Sequence, residues 1–233
     1  MNILAKIRGL YASIVIIAVV TLNIFTFLIS PKKYYKSIKR FYTRLILKLL
    51  GIKVEVEGKI DKEAKMVIIN HSSMLDIVLI EAYYPYDLVW IAKKELFDMP
   101  FFGLLLKLPQ NIRLDRENKK SIVYLFKEAK EKSKYKTIAI FPEGTRARGE
   151  RLLPFKPGTK IISEKLNLKV QPIVLVCSKE RFDSKSLTLN PGIAKIIYLD
   201  SFYPNSNEDW LKELRDRMQK ILDSEKSKLC AKV

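Results

Sequence analysis

The segment NHSSMLD, residues 70–76, places the only histidine of the chain five positions ahead of an aspartate. Imidazole and carboxylate are the pair used in general-base catalysis. The carboxylate accepts Nδ1–H, and Nε2 is left bare to take a proton. The same residues carry a second reading. Ser73-x-x-Asp76, ahead of the apolar run LDIVLIEAYY, is a helix start, with Ser73 as cap and Asp76 in the first turn. Residues five apart do not share a helical face, so the dyad requires His71 to lie in the loop and turn its ring back over the first turn. Spacing alone does not choose between a dyad and a cap beside a loop histidine.

Three other segments gather chemistry suited to an anion. KTIAIFPEGTR (136–146) ends an apolar run in Pro-Glu-Gly-Thr-Arg, and α/β sheets bind ligands at the carboxyl ends of their strands. There Gly144 lets the backbone come close to a bound group, and Arg146 offers a planar fork for phosphate. NIRLDREN (111–118) contributes Arg113 and Arg116, and LPFKPG (153–158) contributes Lys156. Each alone is an ordinary surface charge; together they point to a phosphorylated ligand.

The elements that must position these groups alternate. Runs rich in β-branched residues at 52–58, 65–70, 87–92, 136–141, 169–177 and 193–200 read as strands. Helical periodicity falls between them at 118–134 and 157–166. It returns at 207–227, where Ser206 to Asp209 reads as a capping box. This alternation predicts an α/β fold, a mixed, largely parallel sheet flanked by helices.

The net charge of +18 is concentrated at the N-terminus, where residues 1–54 hold no Asp or Glu. Gly9 to Pro31 is uncharged, and residues 10–29 are about long enough to cross a bilayer. No small-residue cleavage site follows, so a retained anchor is expected rather than a signal peptide. Residues 30–50 then read as a helix with an apolar stripe (Tyr34, Ile38, Phe41, Leu45, Leu49) beside a cationic one (Lys36, Arg40, Arg44, Lys48). That pairing suits anionic membrane lipids and argues against nucleic acid as the partner. The expected organisation is a membrane-anchoring two-helix segment with a basic face over residues 1–50 and an α/β domain over 51–233. The basic flank places the domain on the cytosolic side of the cytoplasmic (inner) membrane. Whether residues 10–29 span the bilayer or form a hairpin within one leaflet stays open. Cys177 and Cys230 fit neither a disulfide framework nor, with one histidine, a metal motif; reduced thiols and no metal are expected.

Four of these segments, in order, resemble the glycerolipid acyltransferase family, most closely the bacterial 1-acyl-glycerol-3-phosphate (lysophosphatidic acid) acyltransferases. His71 and Asp76 match its H-x-x-x-x-D motif, with Asn70 ahead of it. NIRLDR matches the second motif through Arg116, Phe141–Arg146 match F-P-E-G-T-R, and VQPIVLV around Pro172 matches the fourth, with Gln171 where a more apolar residue is usual. The resemblance implies the acyltransferase fold and transfer of a fatty acyl group from an acyl carrier protein or coenzyme A thioester to the free sn-2 hydroxyl of lysophosphatidate. It implies no cofactor beyond that co-substrate. His71 is the implied base and Asp76 its orienting partner. Arg116, Glu143, Gly144, Thr145, Arg146 and Lys156 form the implied phosphate site, and Asn70 and Arg113 are possible members. Glycerol-3-phosphate or a lyso-aminolipid remains open as the acceptor.

Overall fold

The computed structural model of the protein describes residues 3–115, 120–205 and 209–229. Two helices lead, α1 (Ile3–Ile29) and α2 (Tyr35–Leu49). The alternating body follows: β1 (Ile52–Glu57), β2 (Met66–Ile69), α3 (Leu75–Tyr83), β3 (Leu88–Lys93), the short helices α4 (Lys94–Asp98) and α5 (Leu104–Lys107), β4 (Ile112–Leu114), α6 (Lys120–Lys132) and β5 (Thr137–Ile140). It continues with α7 (Pro157–Lys165), β6 (Val170–Val176), α8 (Ser178–Arg181), the two-residue strands β7 (Phe182–Asp183) and β8 (Thr188–Leu189), β9 (Gly192–Tyr198) and α9 (Trp210–Leu229). Each strand expected from sequence is present. Ser206 of the expected capping box lies outside the described residues; in the first turn of α9 the Lys212 and Glu213 amides donate to the backbone carbonyl of Asp209.

Seven strands form one sheet in the order β1-β9-β6-β2-β5-β3-β4. β6, β2, β5, β3 and β4 run parallel, and β9 with its parallel neighbour β1 runs against them. The central strands are apolar on both faces because both faces are covered. Their side chains split with period two. Val67, Ile69, Ile173 and Leu175 point into a core shared with α1, α2 and α3. Met66, Ile68, Val174 and Val176 point into one shared with α6, α7 and α9. From β2 the chain crosses through α3 to β3, whereas from β5 it crosses through α7 to β6, on the other side. The adjacent ends of β2 and β5 are therefore a topological switch point, where the departing connections leave a crevice.

Helices α1 and α2 share the first of these cores. Ala12 and Val19 of α1 and Ile46 and Leu47 of α2 belong to the same cluster as the sheet residues, and α2 packs along α3. The basic stripe of α2 departs from expectation. Arg40 Nη2 donates to the carbonyl of Tyr84 at 2.6 Å, and Arg44 Nε to that of Ala82 at 3.1 Å. Both carbonyls lie at the carboxyl end of α3, which lacks intrahelical donors and attracts cations. Half of the stripe is therefore also tied to the end of α3. Lys48 stays exposed, as do Tyr34, Phe41 and Leu49. Cys177 is disulfide-bonded, against the expectation of reduced thiols; Cys230 lies outside the described residues.

Gln171, the polar residue inside β6, is fully used. Its Oε1 accepts the Asp61 amide at 3.1 Å, and its Nε2 donates to the carbonyls of Lys59 at 2.8 Å and Leu199 at 3.0 Å. The 59–61 turn that it holds is also clamped by Asp61. That carboxylate meets Lys169 Nζ at 2.8 Å, the Ser201 hydroxyl, and the Glu63 amide at 2.8 Å. The Lys169 ammonium, then Ser201 and Glu63, hold the Asp61 carboxyl down to about 2. A carboxyl with a lowered folded pKa adds stability above its unfolded pKa and loses it as pH falls toward the folded value. Asp61→Asn is therefore expected to lower the urea midpoint in detergent at pH 7. The gap to wild type should narrow as pH falls below about 4. A gap that does not change with pH would contradict the clamp.

Candidate active site

β2 delivers Asn70 and His71 to the switch point. Asn70 is 1% exposed and works as a backbone mimic. Its Oδ1 accepts Leu175 N–H at 2.7 Å, and its Nδ2 donates to Leu175 O at 3.0 Å. It staples β2 to β6 rather than facing a ligand, which corrects its place among the possible site residues. His71 sits in the loop ahead of α3, with its side chain 15% exposed. Its ring turns back over the first turn, placing Nδ1 2.8 Å from Asp76 Oδ2.

The two readings of the opening segment coexist. Asp76 is fully buried, and the same Oδ2 accepts the backbone N–H groups of Ser72 at 2.7 Å and Ser73 at 2.8 Å. The helix starts one residue later than expected, with Met74 at the cap position. Ser73 still serves the helix start, because its Oγ accepts Leu75 N–H at 3.1 Å and donates to Phe182 O at 2.6 Å. A carboxylate can only accept, so Nδ1 is the protonated nitrogen and Nε2 carries the lone pair.

β5 delivers the second half of the site. Phe141 opens a tight turn closed by Gly144 N–H on Phe141 O at 3.0 Å, with Gly144 at φ 70°. That left-handed conformation favours glycine. Glu143, expected in the phosphate site, is placed otherwise: it is 1% exposed, and both oxygens hold backbone. Oε1 accepts His71 N–H at 2.7 Å, and Oε2 accepts Leu153 N–H at 2.8 Å. Burial pushes its carboxyl up from the ordinary range, partly offset by those two amides. The carbonyl of His71 accepts Ala147 N–H at 2.7 Å, so the 142–147 loop grips the histidine backbone from both sides. The imidazole also stacks on Phe141, with ring centroids 3.8 Å apart and planes 12° from parallel. Phe141 stacks in turn on Trp90 of β3, at 5.1 Å. Nothing in the sequence motifs pointed to Trp90.

The cations divide. Arg146 is exposed beside the exposed Thr145 and donates to Ser184 Oγ at 2.8 Å. Lys156 is exposed on the same loop, tied down by its amide on Pro142 O at 2.8 Å. Arg113 pairs with Asp98 at 2.9 Å on the surface. Arg116 lies outside the described residues. Among the described residues no group of three or more His, Cys, Asp or Glu could hold a metal ion.

Comparison with known proteins places this geometry. The profile of the Acyltransferase family matches residues 51–176. A Helicobacter pylori protein named 1-acyl-sn-glycerol-3-phosphate acyltransferase is 41% identical over 218 residues, 92% of this chain and 92% of that one. The Escherichia coli protein of the same name is 30% identical over 213 residues, 87% of this chain and 84% of that one. The fold superposes on the crystal structure of the 1-acyl-sn-glycerophosphate (LPA) acyltransferase PlsC from Thermotoga maritima with a TM-score of 0.77, at 20% identity, covering 97% of this chain and 96% of that one.

The Glu143 clamp yields a direct expectation. Glutamine has one acceptor oxygen, so in Glu143→Gln an amide donor faces the N–H of either His71 or Leu153. A buried donor left unsatisfied costs about 1–3 kcal/mol. The variant is expected to lose about that much stability in denaturant titration, and to lose turnover because the His71 backbone shifts. Wild-type stability would contradict the clamp.

Proposed function

The chain belongs to the acyltransferase family, and from that premise we propose that it moves a fatty acyl group from an acyl carrier protein or coenzyme A thioester to the sn-2 hydroxyl of 1-acyl-glycerol-3-phosphate, giving phosphatidic acid. The observation that carries this reading is the bond from His71 Nδ1 to the buried Asp76 carboxylate. It commits Nδ1 of the sole histidine and leaves Nε2 as the nitrogen to serve as base. Nε2 takes the proton of the acceptor hydroxyl as its oxygen attacks the thioester carbonyl carbon. The carbon–oxygen bond forms, the carbon–sulfur bond breaks, and the leaving sulfur takes the proton back from the imidazolium. Asp76 offsets the charge on the imidazolium while it lasts.

Direct transfer is supported by the hydroxyls beside the histidine. Ser72 Oγ pairs with Ser178 Oγ at 3.1 Å and Ser73 Oγ with Phe182 O, so neither is activated by the imidazole. Arg146, with Lys156 and Arg116, receives the acceptor's phosphate and aims its hydroxyl at His71. Gly144 and Thr145 supply backbone and hydroxyl on the same loop.

The anchor is read as monotopic. α1 is long and apolar enough to cross a membrane, but it is docked on the catalytic body near its start and on α2 at its end. A Cβ at Gly9 would lie 1.9 Å from Leu187 O, so glycine permits contact with the loop before β8. At the other end Tyr35 OH donates to Phe27 O at 2.9 Å and their rings pack at 4.3 Å, and α2 is held on α3. The outward face, including Ile7, Leu10, Ile14, Ile17, Phe25 and Leu28, is exposed and apolar. That face lies in one leaflet of an anionic membrane, with the catalytic body on the cytosolic side, as the basic flank favours.

Two measurements test these readings. His71→Ala is expected to lose acyl transfer to lysophosphatidate by about 10²–10⁴-fold while remaining folded and membrane-bound. Arg146→Ala should mainly raise the acceptor KM, by roughly tenfold or more. Substantial turnover in the first variant would remove His71 as base, and an unchanged KM in the second would remove the phosphate clamp. For the anchor, nitroxides at Ile7 and Phe25 are separated by about 27 Å of helix. Equal immersion depth by oxygen and nickel-chelate accessibility is expected; depths differing by most of a bilayer would establish a spanning helix.

A further inference from the structure

Nδ1 of His71 is fixed by Asp76, but one hydrogen bond in the plane of a ring leaves the plane free to tilt. What fixes the plane is a stack of three rings from three adjacent strands. His71 follows β2, Phe141 follows β5, and Trp90 lies in β3; these are neighbours in the sheet. Neighbouring strands lie about 4.8 Å apart, close to the ring separations of 3.8 Å (His71–Phe141) and 5.1 Å (Phe141–Trp90). The sheet itself therefore sets the stacking distance.

The far end of the stack is locked. Trp90 is buried, and its indole Nε1–H donates to Glu81 Oε1 at 2.8 Å. Its backbone N–H, which lies ahead of the β3–β4 pairing, donates to Asn111 Oδ1 at 2.8 Å. Glu81 Oε1 is also met by Lys39 Nζ of α2 at 2.9 Å, and Lys39 lies 3.7 Å from Asp87. Glu81 and Lys39 side chains are each only 10% exposed. A buried carboxylate with two donors on one oxygen sets the orientation of the indole. The indole blocks the free face of Phe141, and Phe141 blocks that of the imidazole.

We infer that Trp90 is a positioning residue for His71, acting through Phe141, and that the Glu81–Lys39 pair ties this backstop to the membrane-facing helix α2. The inference rests on the reading of His71 as general base. It assigns work to Trp90, Glu81 and Lys39, which lie outside every motif of the family resemblance.

The experiment uses the full chain in detergent with its histidine labelled with ¹³C, which gives the two ring C–H signals of a single imidazole, together with steady-state kinetics on lysophosphatidate. Trp90→Leu removes the backstop, Trp90→Phe keeps a ring but loses the indole donor, and Glu81→Gln keeps an acceptor but loses the charge. The His71 ring C–H resonances, shifted by the stacked Phe141, are expected to move most in Trp90→Leu and less in the other two. kcat should fall in the same order, by about tenfold to a hundredfold for Trp90→Leu, the scale of a misplaced catalytic group. The acceptor KM should stay within about twofold, because the phosphate site is untouched. If Trp90→Leu does not fold, the two conservative variants carry the test. Unmoved resonances in folded variants would overturn the inference. So would wild-type kcat in variants whose resonances move, while His71→Ala is inactive. Turnover retained in His71→Ala itself would instead sink the base reading, and the inference with it.

Discussion

One buried oxygen, Oδ2 of Asp76, organises the catalytic end of this protein. A fully desolvated carboxylate is costly unless donors converge on it. Here the Ser72 and Ser73 amides and His71 Nδ1 all do so within 2.8 Å. Oδ1, also buried, has no hydrogen-bond partner among the described residues, so the orienting work falls wholly on Oδ2. The consequence is geometric. The two amides fix the start of α3, and the ring can bond the same oxygen only if His71 lies outside the helix and folds back. The cap and the dyad are one arrangement seen from two sides.

That arrangement works because the rest of the fold brings separate strands to it. The switch point puts the ends of β2 and β5 side by side, so the 142–147 loop can grip His71 by its N–H and its carbonyl. α3 then carries the consequence toward the two leading helices. Its carboxyl end receives Arg40 and Arg44 of α2, and its Glu81 receives Lys39. The two leading helices and the helix that begins beside Asp76 are thus in direct contact, and α1 and α2 share a core with the sheet.

Much of this was legible in the sequence, for identifiable reasons. The strands carried β-branched runs with no competing helical period, and the ordered motifs marked the two loops of the site. What was hidden depended on pairs distant along the chain. Glu143 looked like a ligand-facing residue because its motif is polar; that its oxygens bind the amides of His71 and Leu153 follows only from the packing of two loops. The bonds from Arg40 and Arg44 to the carbonyls of Tyr84 and Ala82 could not be read from α2, because helical spacing says nothing about which element lies beside a face. Asn70 looked like part of a site because it precedes the histidine, yet its amide completes the pairing of β2 with β6. The Trp90 stack required the strand order β2-β5-β3, which no local pattern encodes.

The central claim is that Asp76 holds the neutral imidazole with its proton on Nδ1 and its lone pair on Nε2. Because the chain has one histidine, ¹⁵N spectroscopy of the histidine-labelled protein reads that tautomer without assignment. The account predicts that the neutral form shows a proton coupled to Nδ1 and a bare Nε2, and that Asp76→Asn disturbs this pattern. A neutral imidazole protonated on Nε2 in the wild-type protein would contradict it.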